Sequence, residues 1–154
     1  MSQRLNIQKT KTIKRIEALE TTAASGKTQQ LLESVKAKLG SVPNLFRVLG
    51  HSSGALEGYL RFSGALATGE LSARVREQIA LTVAEINDCD YCRRAHSFLG
   101  GKVGLSSQEI LDARRTESSD PKTSAILKLA RELVVQRGVL TDAEFQTARD
   151  AGLS

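Results

Sequence analysis

Tryptophan is absent, and the chain has only 2 tyrosines and 4 phenylalanines, an aromatic share of 4%. Proline occurs twice. Sheet-rich domains draw on aromatic and β-branched residues and on frequent turn breakers, so both shortages count against a β architecture. Long apolar runs are also missing, which excludes a membrane-spanning helix. The opening Met1-Ser2-Gln3-Arg4-Leu5-Asn6 holds no apolar signal core, so secretion is not expected and a cytoplasmic location is the default. With only two cysteines, a secreted disulfide framework is excluded.

The remainder is ordinary for a folded domain: 154 residues, 40% hydrophobic and 25% charged. That length suits one domain. Ala, Leu, Glu, Arg and Gln are plentiful and favour helices, so the expected fold class is all-α. The net charge is +5. Arg4, Lys9, Lys11, Lys14 and Arg15 stand together with no acidic residue among them. No aromatic is interleaved with them and no recognition motif follows, so residues 1–25 read as a polar, basic, solvated arm. Neither nucleic acid nor membrane is expected as a partner.

Ile13, Ile16 and Leu19 give a short helical rhythm, and Thr21 to Gly26 reads as a break. Gly26-Lys27-Thr28 resembles the end of a phosphate loop, but Thr21 stands where that motif needs its first glycine and no strand precedes it. Leu31, Leu32, Val35 and Leu39 keep a helical period that Gly40 closes. Pro43 can open a short helix over 44–49, and Ser52 and Ser53 can cap the next one, over 54–67. His51, beside those serines, reads as structural. Ser72 is a candidate cap for a helix over 73–86, whose centre, Ile79 to Ala84, is apolar almost all round and is expected to be buried on every side. Asn87-Asp88 interrupts, and a helix starts near Cys89 and ends at Gly100-Gly101. Ser106-x-x-Glu109 and Thr141-x-x-Glu144 are capping boxes, and Asp120-Pro121 is a helix start running on to Gly138. The closing Gly152-Leu153-Ser154 echoes Gly104-Leu105-Ser106. Ser154 therefore reads as a cap with no helix after it, pointing to a shortened chain or to packing supplied by another subunit.

Chemistry gathers between Glu77 and His96. On a helix beginning at Cys89, Cys89 and Cys92 are i,i+3 and Cys92 and His96 are i,i+4, so all three share a face. The cysteines are near enough for a disulfide. Asn87 or Asp88 can cap the helix, whose N-terminus favours a thiolate, and His96 can exchange a proton with Cys92. Glu77, on the preceding apolar helix, needs a partner or a raised pKa. Other readings of the same residues are two plain core cysteines with a structural histidine, or zinc ligands. Three ligands crowded on one helix speak against zinc. Thioredoxin-like chemistry places Cys-x-x-Cys after a strand, and none is readable here.

Glu77, eleven residues, then Cys89-x-Tyr91-Cys92-x-x-x-His96 resembles the signature of the alkylhydroperoxidase D (AhpD)-like branch of the carboxymuconolactone decarboxylase family. The flanks Val42-Pro43-Asn44-Leu45-Phe46, Leu71-Ser72-Ala73-Arg74 and Gly104-Leu105-Ser106 agree with it, and the resemblance runs over about residues 38–137. It implies an AhpD-like helical bundle over 26–154, assembled as a homo-oligomeric trimer or hexamer. It implies a thiol-dependent peroxidase of the antioxidant system, acting on hydroperoxides without metal, haem or flavin, since the dithiol itself carries two electrons. By the same resemblance Cys92 attacks the peroxide, Cys89 resolves the sulfenic acid into a Cys89–Cys92 disulfide, Glu77 and His96 relay protons, and Tyr91 belongs to the site. The implied reductant is a thiol, such as a lipoyl group carried on another protein. The alternatives are the decarboxylase chemistry of the family, which needs no pair of cysteines, and a non-catalytic redox sensor.

Overall fold

A computed structural model describes residues 15–153. The basic run Arg4–Lys14, the start of the Ile13 rhythm and the cap assigned to Ser154 lie outside the described residues. Those described form eight α-helices and one 3-10 turn, with no strand among them, as the composition predicts. They fall into two compact units, dividing between Leu66 and Ala67.

The first unit holds the 3-10 turn Thr21–Ala23 and helices α1 Gly26–Leu39, α2 Asn44–Leu49 and α3 Ser53–Ala67. Residues 15–20, where Ile16 and Leu19 suggest a helical period, are not helical. Arg47 holds that stretch in extended form: its Nε donates to the Leu19 carbonyl at 2.8 Å, and its backbone carbonyl accepts the Leu19 N–H. Gly40 closes α1 in the left-handed conformation with φ 78°, a shape glycine adopts without steric cost. His51 bonds the Glu17 carbonyl through Nε2 at 2.8 Å, which fits its structural reading.

The second unit holds α4 Ala73–Ile86, α5 Asp90–Lys102, α6 Ser107–Arg114, α7 Pro121–Val135 and α8 Asp142–Asp150. Helix α4 is its centre and packs against α5, α6 and α7. It is not buried on every side as its apolar run suggests. Gln78, Leu81, Thr82 and Ala84 are buried, while Ile79, Ala80 and Val83 are only half-buried. Three neighbouring helices leave part of its circumference uncovered. The core joins Leu81, Leu105, Ala113 and Leu127, and the buried Thr82 hydroxyl donates to the Ala113 carbonyl at 2.7 Å. That bond ties α4 to α6 without leaving a polar group unsatisfied.

The start signals of α4, α6, α7 and α8 act as the sequence predicts. Ser72 Oγ accepts the Val75 N–H, Asp120 caps α7 with Pro121 behind it, and both capping boxes close reciprocally. Helix α5 passes Gly100-Gly101 and stops one residue later, at Lys102, because the left-handed residue that turns the chain is Gly104, with φ 87°. Helix α7 likewise stops at Val135, three residues short of Gly138.

Candidate active site

Helix α4 closes with a Schellman turn. The Asp88 N–H bonds the Glu85 carbonyl at 3.1 Å, and the Cys89 N–H reaches back to the Ala84 carbonyl at 3.0 Å. Asp88 takes the left-handed position at φ 49°, where aspartate is one of the few non-glycine residues found often. With no residue to spare, the chain enters α5 immediately. The cap is therefore Cys89, and not Asn87 or Asp88: one terminates α4 and the other makes the turn. Cys89 Sγ accepts the Cys92 N–H at 3.2 Å.

This turn sets the two sulfurs side by side. Cys89 and Cys92 are half-buried and joined as a disulfide across Cα atoms 5.3 Å apart. His96 lies one turn further along α5. Its Nδ1 is 2.8 Å from Glu77 Oε2 on α4. A carboxylate offers only acceptors, so Nδ1 carries the hydrogen, and in the neutral ring Nε2 is the acceptor. Glu77, with its side chain 19% exposed, thus has the partner its position demands. Tyr91 sits on α5 with 43% of its surface exposed. The structure therefore joins Cys89 to Cys92 at the start of α5, and His96 of α5 to Glu77 of α4. Among the described residues, no three His, Cys, Asp or Glu side chains converge as a metal site would need.

The flank Leu71-Ser72-Ala73-Arg74 gains a role. Arg74 bonds the Gly104 carbonyl and Glu109, fixing the loop between α5 and α6 against α4. Bonds from the Ser106 backbone, then its hydroxyl, then Arg74 hold the Glu109 carboxyl below the usual carboxylate range.

Arg93 is the residue that the sequence reading passes over. Its guanidinium donates to Asp88 Oδ1 from both terminal nitrogens at 3.1 Å and to Asp90 Oδ1, and it faces Glu85 Oε1 at 3.6 Å. Arg114 of α6 donates to the other Glu85 oxygen at 2.7 Å. Three acids, Glu85, Asp88 and Asp90, followed by Arg93 and Arg94 were the available signal. A groove of about 610 Å³ elsewhere in the unit, lined by Leu71, Val75, Ile79, Ile126, Leu129 and Leu133 among others, includes none of the four site residues.

A family model described as the carboxymuconolactone decarboxylase family matches residues 54–134. Solved structures match as well. One is an uncharacterized peroxidase-related protein from Silicibacter sp. TM1040, with a TM-score of 0.79 and 24% identity, covering 94% of this chain and 80% of that one. Another, from Ralstonia eutropha JMP134, is described as an alkylhydroperoxidase AhpD core and an uncharacterized peroxidase-related protein. Its TM-score is 0.75 at 25% identity, over 91% of this chain and 76% of that one. No functionally curated protein gives a significant match.

Proposed function

We propose, from the premise that this chain belongs to the carboxymuconolactone decarboxylase family, that it is a dithiol peroxidase reducing hydroperoxides. The observation that carries the reading is the pairing of Cys89 and Cys92 at the start of α5 with a hydrogen-bonded His96–Glu77 couple one turn along. A decarboxylase has no use for two sulfurs at bonding distance.

In this reading the Cys92 thiolate attacks one peroxide oxygen and the O–O bond breaks. Cys92 becomes a sulfenic acid, and the other oxygen leaves as the alcohol after taking a proton. Cys89 then attacks the Cys92 sulfur, forming the disulfide and releasing water. A dithiol reductant returns two electrons and two protons. His96 takes the Cys92 proton on Nε2 and passes it to the leaving oxygen, with Glu77 holding the ring and stabilising its charged form. Tyr91, exposed in the first turn of α5 between the two cysteines in sequence, is assigned to contacting substrate. The reductant is a small or protein-borne dithiol of the lipoyl type.

The deciding experiment is consumption of an organic hydroperoxide by the purified chain supplied with dihydrolipoamide. Turnover is expected, with none in Cys92→Ser. Cys89→Ser should give one turnover that halts as a sulfenic acid on Cys92, visible by mass spectrometry. A single turnover in Cys92→Ser that halts as a sulfenic acid on Cys89 would reverse the two roles. Absence of turnover while the disulfide still cycles would move the function to another disulfide substrate or to redox sensing.

A further inference from the structure

Cys89 stands between two carboxylates in the chain, Asp88 and Asp90. Like charge on either side opposes ionisation of a thiol, and it works against the help given by the Cys92 N–H and the α5 dipole. Arg93 meets both aspartates at once: its fork takes Asp88 and Asp90 together. The Arg93 side chain is only 15% exposed while those of Asp88 and Asp90 are 80% and 77% exposed. The cation is thus held in place against the helix, and the carboxylates close onto it. The charges facing the turn from the other helices are matched too. Glu85 of α4 lies between Arg93 and Arg114 of α6, and Glu77 of α4 is engaged with His96. The bond to Asp90, then that to Asp88, raises the Arg93 pKa above its usual value, so it is a cation throughout.

We infer that Arg93 is a positioning residue of the dithiol: by neutralising Asp88 and Asp90 it lets Cys89 ionise in its cap position near neutral pH. The inference deepens the proposed chemistry and rests on that reading only in taking the cysteines to cycle between dithiol and disulfide. Opening the disulfide takes up two electrons and two protons, or one proton fewer when Cys89 stays ionised, so the equilibrium with a reductant reports the same charge.

The test follows the pH dependence of Cys89 alkylation by iodoacetamide in the full chain carrying Cys92→Ser. Adding Arg93→Gln is expected to raise the midpoint by about one pH unit, slowing alkylation at neutral pH about tenfold. Arg93→Lys keeps the charge without the fork and should retain most of the wild-type rate. Asp88→Asn together with Asp90→Asn, with Arg93 in place, should lower the midpoint, and it serves as the test if Arg93→Gln fails to fold. In the chain with both cysteines, Arg93→Gln should shift the equilibrium with dithiothreitol toward the disulfide by up to about tenfold. An unmoved midpoint in a folded Arg93→Gln, a Lys variant no better than Gln, or an Asn pair that leaves the midpoint in place would overturn the inference. None of these readouts uses a peroxide. A chain without peroxidase turnover can therefore pass this test, and a working peroxidase can fail it.

Discussion

Two effects compete at the sulfurs. The helix N-terminus and the Cys92 N–H favour charge on Cys89, an effect of roughly 0.3–1 kcal/mol for the dipole. His96, four residues past Cys92, offers a base held in one tautomer by Glu77, and a positioned base contributes roughly 10²–10⁴-fold in rate. In the proposed chemistry the base outweighs the dipole and makes Cys92 the attacking sulfur, while the dipole and Arg93 suit Cys89 to leave as a thiolate when the disulfide opens. Glu77 is the discriminating position. Glu77→Gln keeps an oxygen to accept the Nδ1 hydrogen but loses the charge, and Glu77→Ala loses both. Peroxide turnover should fall about tenfold in the first and about a hundredfold in the second, with KM little changed, as read by steady-state peroxide consumption. Wild-type turnover in Glu77→Ala would remove the couple from the chemistry.

Helix beginnings were legible in the sequence because a cap is a local transaction: Ser106, Asp120 and Thr141 each find their backbone partner three residues away. Endings were harder, because they depend on which residue takes the left-handed position. Helices α4, α6 and α7 use Asp88, Thr116 and Arg137 at φ 49°, 65° and 55°, where a glycine signal is absent. Arg137 shows the cost most cleanly. It is exposed, its N–H bonds the Val134 carbonyl at 3.3 Å, and the following Gly138 N–H bonds Leu133 at 2.8 Å. A left-handed non-glycine residue costs roughly 1–2 kcal/mol, and glycine loses about 0.5–1 kcal/mol of that advantage to unfolded-state entropy. Arg137→Gly is therefore expected to stabilise the chain by about 0.5–1 kcal/mol in urea unfolding. Arg137→Ala should give no such gain, and equal stability in the two variants would count against left-handed strain as the cause. The same difference in range explains the site. The i, i+3, i+7 spacing of Cys89, Cys92 and His96 is legible in the sequence alone. The roles of Cys89 as cap and of Asp88 as turn follow from Ala84 and Glu85 carbonyls in the helix before, and Arg93's fork closes on carboxylates brought together only by that turn.

A chain with so few aromatic residues would be expected to spend them on its core, since each can bury about 150–250 Å². This one does the opposite. Phe62, Phe98 and Phe145 are 67%, 64% and 53% exposed, and Tyr59 and Tyr91 are 41% and 43% exposed. Its fully buried large side chains are Leu56, Leu81, Leu127 and Thr82. Aliphatic side chains thus fill the interior, while the largest apolar groups face outward, together with Leu66 and Val139 at 55% and 73% exposure. Aromatic residues are enriched where interfaces form, so these side chains are the ones to test for self-association. A second copy of the chain is the occupant always at hand, and closed symmetric assemblies are the common outcome. Light scattering coupled to size exclusion should give a mass that is a multiple of 16.7 kDa, with a trimer or hexamer expected. Phe62→Glu and Phe98→Glu, tested singly, should lower that mass wherever their face lies in the assembly, because a buried carboxylate without a partner costs far more than an exposed one. A concentration-independent monomer would mean that these aromatics serve some other contact. Retention of peroxidase turnover in a dissociated variant would show that the four site residues, on α4, on α5 and at its N-cap, need no second copy to act.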